Sequence, residues 1–267
     1  MVTMASKYTA LFLVCCAVAC SHVLATSVPS CNVPLVPPER MVDLSYSFNN
    51  RTIFWDDGTG FQINITRTGS TDQDWYQADD FLLPPRGGTH MDAPIHFSPG
   101  KWSMSQIPLE RLLFLPIVLV DVEKQANEKP DYELSLEDIE QWEKEHGRIP
   151  EGALVIERTG RSKLWQNRVA YLGIDEHGMR HFPTFSTEAA QFLMEQRNIY
   201  GVGLDSPSVD RFGASSTHRT LASHNVYNVE NLADLSRVPA YGAKAIMLPI
   251  KLCQASGSTV RVVAVLP

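Results

Sequence analysis

The sequence predicts a mixed α/β domain, because buried strands alternate with two amphipathic helices and the chain ends in a pair of apolar strands. Residues 112–122 form a nearly continuous apolar run with several β-branched members, which is the pattern of a strand buried on both faces. Strands separated by helices and closed by an antiparallel pair indicate a mixed sheet rather than a strict βαβ array.

The first helix is predicted to begin after Ser135, which together with Asp138 has the form of a capping box. Ile139 and Trp142 follow at helical spacing, and Gly147 is expected to end the helix. Its acidic residues are expected to form a solvated face rather than a binding patch.

Further strands and a second helix follow. Residues 153–157 and 200–204 have the pattern of short buried strands, and Ser186 or Thr187 is expected to cap a helix that runs to Arg197. The apolar runs 245–252 and 259–266 are joined across Ser256-Gly257, a hairpin signal. Residues 53–83 are typical of short strands and turns.

The first 25 residues have the layout of a secretory signal peptide, with Lys7, an apolar run and small residues up to Ala25. The apolar run, about eleven residues long, is too short for a membrane anchor. We therefore expect a secreted protein with no membrane attachment. A proline-rich arm is predicted over residues 26–40 and one domain over residues 41–267.

Cleavage of the signal would leave Cys31 and Cys253, and an oxidising compartment favours a disulfide between them over two unpaired thiols. Asn50 and Asn64 each begin an Asn-x-Thr triplet and are expected to accept N-linked glycans. The net charge of −7 and the absence of a basic run argue against nucleic acid as a partner.

The strongest functional signal lies in residues 87–97, where His90, Asp92 and His96 fall on a segment whose glycines and proline prevent a helix. Side chains two apart on an extended backbone point to the same face, so His90 and Asp92 should lie together. An imidazole beside a carboxylate is the beginning of a site for zinc or another divalent metal.

The segment from Arg86 to His96 resembles the signature of the metal-dependent cyclase family, which includes bacterial-type kynurenine formamidases and isatin hydrolases. The family pattern His-x-Gly-Thr-His-x-Asp-x-Pro-x-His is matched except at its first position, where Arg86 stands in place of a metal-binding His. The resemblance implies a single compact α/β domain around a twisted, partly barrel-like mixed sheet. It also implies a homo-oligomer, a dimer or a larger assembly.

The resemblance implies the other site residues as well. A His and a Glu at the spacing of His218 and Glu230 complete the metal site in the family, and His90 and Asp92 match its other ligands. We expect one zinc or manganese ion rather than two. The family's catalytic proton shuttle matches His96. Asp205 and Asp210 match a family Asp-x-x-Ser-x-Asp stretch and are expected to support the ligands from behind.

Arg86 leaves three alternatives open, because a guanidinium stays protonated and cannot ligate a metal. If it turns away from Asp92, a metal-dependent hydrolase of C–N amide bonds is expected, acting on a small aryl formamide or cyclic amide through metal-activated water. If it forms a bidentate pair with Asp92, a non-catalytic binding or structural protein of the same fold is expected. It could also lie on a solvent-facing loop without a role. A serine hydrolase is not favoured, because no Gly-x-Ser-x-Gly elbow is present.

Overall fold

The computed structural model describes residues 36–267 except Asp57, Thr59, Asp72 and Gln73, and it describes only the backbone of Thr68, Ser70, Thr71 and Asp74. The predicted signal peptide and residues 26–35 of the predicted arm lie outside the described residues. Within the described part of the chain, no helix is long and apolar enough to cross a bilayer.

The strands are β1 Met41–Asp43, β2 Gln62–Thr71, β3 Asp74–Leu82, β4 His90–Asp92, β5 Leu113–Asp121, β6 Glu133–Leu134, β7 Leu154–Arg158, β8 Thr184–Phe185, β9 Gly201–Leu204, β10 Tyr227–Glu230, β11 Lys244–Pro249 and β12 Gly257–Val265. The α-helices are α1 Glu123–Glu128, α2 Leu136–His146, α3 Arg168–Leu172, α4 Thr187–Arg197 and α5 Ser216–Ser223. Short 3-10 helices cover Pro38–Arg40, Pro94–His96, Met104–Gln106, Leu109–Arg111 and Arg161–Leu164.

Seven strands form a closed ring in the order β12-β11-β5-β7-β9-β10-β4, which closes where β4 pairs with β12. The strands β5, β7, β9 and β10 run parallel, and the remaining pairs of the ring are antiparallel. β1 extends the sheet by pairing with β12. This arrangement confirms the predicted α/β domain around a barrel-like mixed sheet.

The alternation of side chains along β5 divides the apolar core into two layers. Leu115 and Ile117 point into the ring, where Met91 and Tyr227 belong to the same buried cluster. Val118 lies in a second cluster, between the sheet and helices α2 and α4. Because both faces of β5 are covered, its sequence is apolar almost throughout, as expected for a fully buried strand.

Both predicted helix caps are present. The Ser135 side chain accepts a hydrogen bond from the backbone N–H of Asp138, the Asp138 carboxylate accepts from the Ser135 backbone, and Gly147 follows the last turn of α2. Ser186 caps α4 by accepting from the N–H of Ala189. Each cap satisfies backbone donors that have no partner inside the helix.

Two details of the predicted strands are wrong. Residues 53–83 contain two long strands, β2 and β3, paired as one antiparallel hairpin rather than several short strands. The segment between β11 and β12 is a loop over residues 250–256, and Gly257 is the first residue of β12 rather than part of a tight turn. Gly257 pairs across to Asp92, where an added Cβ would lie 3.0 Å from Oδ1 of Asp92.

Candidate metal centre

The short strand β4 carries the first two candidate ligands and lies between β10 and β12. Its register with β10 places Glu230 opposite His90 and Asn228 opposite Asp92. Directly opposed residues on neighbouring strands bring their side chains together on one face. The ring therefore collects His90, Asp92 and Glu230 from positions far apart in the sequence.

The fourth candidate ligand, His218, enters from α5, which precedes β10 and packs against the 3-10 helix Pro94–His96. Asp210 fixes its ring: Nδ1 of His218 lies 2.7 Å from Oδ2 of Asp210, and the same oxygen accepts the backbone N–H of His218. A carboxylate behind Nδ1 favours the tautomer with the proton on Nδ1, which leaves the Nε2 lone pair facing the other ligands.

The nearest ligand atoms of His90, Asp92 and Glu230 all lie within 4.8 Å of one another. Nε2 of His218 lies 3.6 Å from Oδ2 of Asp92 and 3.3 Å from Oε1 of Glu230. All four residues are almost fully buried. Two imidazole nitrogens and two carboxylates thus converge in a volume shielded from solvent.

Two buried polar atoms of the candidate ligands lack a hydrogen-bond partner. Nε2 of His90 and Oδ1 of Asp92 make no hydrogen bond within the described part of the chain, although Nε2 of His90 lies 3.4 Å from Oε2 of Glu230. Buried polar atoms without partners are costly and rare, unless an ion or water satisfies them. These nitrogen and oxygen atoms are the donors that zinc and related divalent ions take, so the residues present fit a metal ion.

The electrostatics of the four side chains also require positive charge. Burial alone would lower the pKa of His218, but its contacts with Asp210, Asp92 and Glu230 raise it well above its usual value. Burial would likewise lower the pKa of His90, and its ion pair with Glu230 and the charge of Asp92 raise it. Buried carboxylates thus draw protons onto the imidazoles, and a divalent cation would replace those protons.

The backbone behind His90 fixes its orientation. Nδ1 of His90 lies 3.0 Å from the carbonyl oxygen of Gly88, which also accepts a hydrogen bond from Nδ2 of Asn231. Gly88 has φ +55°, and a Cβ there would lie 2.7 Å from the Phe48 ring, so only glycine fits without displacement. The carbonyl can accept from Nδ1–H and leaves Nε2 free to ligate.

Beside the four ligands lies a cavity of about 440 Å³, within the usual size range for small-molecule sites. His96 borders it, and its Nε2 lies 3.8 Å from Oδ2 of Asp92. Burial, with the charges of Arg86 and His218, lowers the pKa of His96 although Asp92 opposes this. A neutral imidazole next to the ligands can accept a proton.

Residues 42–211 match the family model described as "Putative cyclase", which is more than half of the chain. The chain belongs to the cyclase family. An isatin hydrolase of Roseibium aggregatum is 30% identical over 218 residues, which are 77% of this chain and 82% of that protein. A kynurenine formamidase of Polaromonas naphthalenivorans is 27% identical over 184 residues, covering 68% and 71% of the two chains.

A solved member of the cyclase family has the same architecture. An isatin hydrolase bound to the product analogue thioisatinate superposes with a TM-score of 0.78 at 27% identity. The match covers 85% of this chain and 92% of that chain. The closed sheet and the ligand-bearing strands described above are therefore features of a fold for which a hydrolase structure is known.

Arg86, which stands at the first position of the cyclase-family signature, does not pair with Asp92. The ion pairs of Asp92 within the described residues are with His96 and His218. The Arg86 guanidinium instead lies 3.5 Å from Oγ of Ser256 and borders the cavity. Of the sequence alternatives, the structure has the one in which the guanidinium turns away and leaves the ligand atoms free.

Other predicted residues lie outside this cluster. Asp205 accepts hydrogen bonds from Thr159 and Ser162 and makes none to the four ligands, so it supports a neighbouring loop instead. Cys253 is an exposed free cysteine, and its expected partner Cys31 lies outside the described residues, so the disulfide stays a prediction. The side chains of Asn50 and Asn64 are exposed.

Asn228 was not predicted as a site residue from the sequence. Its Nδ2 donates to Oε1 of Glu230 at 3.0 Å and lies 3.4 Å from Oδ2 of Asp92. The backbone N–H of Val209 also donates to Oε1 of Glu230. Asn228 lies two residues before Glu230, and the alternation of a strand would have placed it on the same face. The aromatic walls of the cavity, Trp55, Phe97 and Phe212, had no comparable signal.

Proposed function

We propose that the chain is a secreted, metal-dependent hydrolase that cleaves the C–N bond of a small aryl formamide or cyclic amide. The observation that carries the proposal is the convergence of two buried imidazoles and two buried carboxylates, of which Nε2 of His90 and Oδ1 of Asp92 lack hydrogen bonds. The names of the relatives, isatin hydrolase and kynurenine formamidase, support an amide as the substrate. The signal-like first 25 residues support secretion.

His90, Asp92, His218 and Glu230 would hold one zinc or manganese ion. When bound, the ion would polarise the amide carbonyl and make water a stronger nucleophile. Asp210 and the Gly88 carbonyl keep the ligand imidazoles in the required tautomer. The nitrogen and oxygen donors of this site suit both ions.

His96 would move the proton. It borders the cavity beside Asp92, and its lowered pKa keeps the imidazole neutral near pH 7. A neutral imidazole takes a proton from the attacking water and returns it to the leaving nitrogen, which would otherwise depart as an unstable anion. Phe97 packs on the ring of His96, with centroids 4.3 Å apart, and limits its rotation.

The expected homo-oligomer is also part of the proposal. The β2–β3 hairpin exposes Ile65, Trp75 and Phe81, each of which is at least 60% exposed. Large apolar side chains grouped on one exposed hairpin are typical of a surface that a partner covers. Sedimentation of the mature protein would show a dimer or larger assembly. A monomer at micromolar concentration would contradict the proposed homo-oligomer.

The test of the function is hydrolysis of formanilide, formylkynurenine and isatin by the mature protein. We expect activity on at least one substrate, loss of activity with a chelator and recovery with zinc or manganese. His96→Asn should lower kcat about 100- to 10,000-fold, whereas the matched control His224→Asn, an exposed imidazole outside the cavity, should not. Hydrolysis that resists chelation would contradict the proposal.

A further inference from the structure

Arg86 places a cation beside the proposed reaction site, and few groups of the described residues form hydrogen bonds or ion pairs with it. The side chain is half-buried and borders the same cavity as His96 and the metal-site residues. Its backbone is held in place, because the carbonyl of Arg86 accepts the N–H of Trp55 and Gly87 forms a β-bridge with Phe54. The guanidinium is therefore anchored at a fixed edge of the cavity.

Most donors of this guanidinium have no partner among the described residues. The one hydrogen bond, from Nη1 to Oγ of Ser256, is 3.5 Å long, and no carboxylate of the described residues lies within ion-pair distance. By contrast Arg211, which also lines the cavity, is paired with Glu133. A guanidinium with free donors at a cavity wall suits a planar, bidentate anion.

The charge around the cavity points the same way. A divalent ion on the four ligands would offset the charges of Asp92 and Glu230, and Asp210 hydrogen-bonds to His218 and does not line the cavity. Asp56, another carboxylate that lines the cavity, is exposed, so water screens its charge. Arg86 is then a cation at the cavity wall without a carboxylate partner among the described residues, and such a cation favours a negatively charged substrate over a neutral one.

The remaining walls are aromatic. Trp55, Phe97 and Phe212 line the cavity, and Trp55 is held by an edge contact with Phe182 and by the Arg180 guanidinium above its ring. Flat aromatic walls favour a ring in the ligand. The cavity thus combines an aromatic slot, a free guanidinium and the amide-cleaving residues.

We propose that Arg86 binds a carboxylate of the substrate, so that the preferred substrates are aromatic amides that carry an acid group. This inference rests on the proposed function and narrows its substrate class. The arginine at the first signature position would then be a specificity residue that replaces a metal ligand by an anion-binding group. It is not needed to hold the ion.

The test compares the N-formyl derivatives of 2-, 3- and 4-aminobenzoate with their methyl esters, which have the same ring and amide but no charge. For the isomer that fits best, we expect kcat/KM of the acid to exceed that of the ester about tenfold or more. Arg86→Gln should reduce this acid-to-ester ratio about 10- to 100-fold, mainly through KM. Arg86→Lys should retain part of this acid-to-ester ratio, because lysine keeps the positive charge but lacks the planar pair of N–H donors that a guanidinium offers to a carboxylate.

The matched control is Arg148→Gln, which removes the same charge from an arginine that bonds to the Gln196 carbonyl and does not line the cavity. It should leave the acid-to-ester ratio unchanged. An unchanged ratio in Arg86→Gln, or an equal fall in Arg148→Gln, would overturn the inference.

A binding measurement separates this inference from the proposed function. Calorimetric titration with the three aminobenzoates and their methyl esters needs no turnover. Carboxylate-selective binding that Arg86→Gln abolishes, without hydrolysis of any of the formamides or of isatin, would refute the hydrolase and support the anion site. Cleavage of the amide bond in the N-formyl methyl esters, without any preference for the corresponding acids, would support the hydrolase and refute the anion site.

Discussion

Asp210→Asn should weaken metal binding without removing a ligand. Oδ2 of Asp210 accepts Nδ1–H and the backbone N–H of His218, and Oδ1 accepts the backbone N–H of Thr217 at 2.9 Å and the Ser216 hydroxyl at 3.3 Å. An amide has only one oxygen, so its NH2 group must face one of these pairs of donors. In either orientation one backbone N–H loses its acceptor, and the side-chain partner on that side keeps a hydrogen bond only if it accepts instead of donating.

The magnitude follows from those bonds. A hydrogen bond to a charged group contributes about 1.5–3 kcal/mol, and removal of the group that orients a metal-ligating His costs about 10- to 100-fold in metal affinity. If the NH2 group faces His218, the imidazole can keep a hydrogen bond only by moving its proton to Nε2. That tautomer no longer has a lone pair directed at the ion.

The assay is competition for zinc between the protein and a fluorescent chelator of known affinity. We expect the zinc Kd of Asp210→Asn to rise about 10- to 100-fold. The matched control Asp234→Asn changes an exposed carboxylate whose partner is Ser236 in a surface turn, and its zinc Kd should equal that of the wild type. A zinc Kd of Asp210→Asn within twofold of the wild type would refute the reasoning.

Three further predictions concern stability in urea. Burial raises the pKa of Glu157 well above 4.5, and neither carboxyl oxygen has a partner in the described chain. As the pH rises, the folded state therefore keeps this proton after the unfolded state has lost it. Because of this group, stability falls by about 1.4 kcal/mol per pH unit above pH 4.5 until the folded pKa is reached. Glu157→Gln should flatten that slope and stabilise the protein at pH 7; an unchanged slope would contradict this. Gly173→Ala should cost about 3 kcal/mol or more of stability, because φ is +61° and the new Cβ would lie 1.9 Å from the carbonyl oxygen of His181. The control Gly178→Ala, in open space at φ +78°, should cost only about 1–2 kcal/mol. Equal costs would contradict the predicted clash with His181. Ser135→Ala removes the cap of α2 and should cost about 1 kcal/mol, and no change would mean that the cap is dispensable.

Local signals in the sequence predicted the two long helices, α2 and α4, and several of the strands, whereas the short helices α1, α3 and α5 were not predicted. Capping at Ser135 and Ser186, and the apolar run of β5, depend on neighbouring residues and were confirmed. The extended placement of His90 and Asp92 followed from nearby glycines and proline, and they form β4.

Features that depend on pairing between distant parts of the chain could not be predicted from the sequence pattern. The length of the β2–β3 hairpin depends on cross-strand register, and the loop before Gly257 depends on the approach of Asp92 from another strand. His218 and Glu230 could be selected only through the family resemblance, because their meeting with His90 requires ring closure. The direction of Arg86 could not be predicted from neighbouring residues, because its hydrogen-bond partner Ser256 is far away in the sequence.

The most direct test of the account is the metal content of the mature protein, measured by elemental analysis after purification without chelator or added metal. We expect about one zinc or manganese ion per chain, and we expect Glu230→Gln to lose it. A wild-type protein that is metal-free, and stays so after incubation with excess zinc and manganese, would contradict the metal centre.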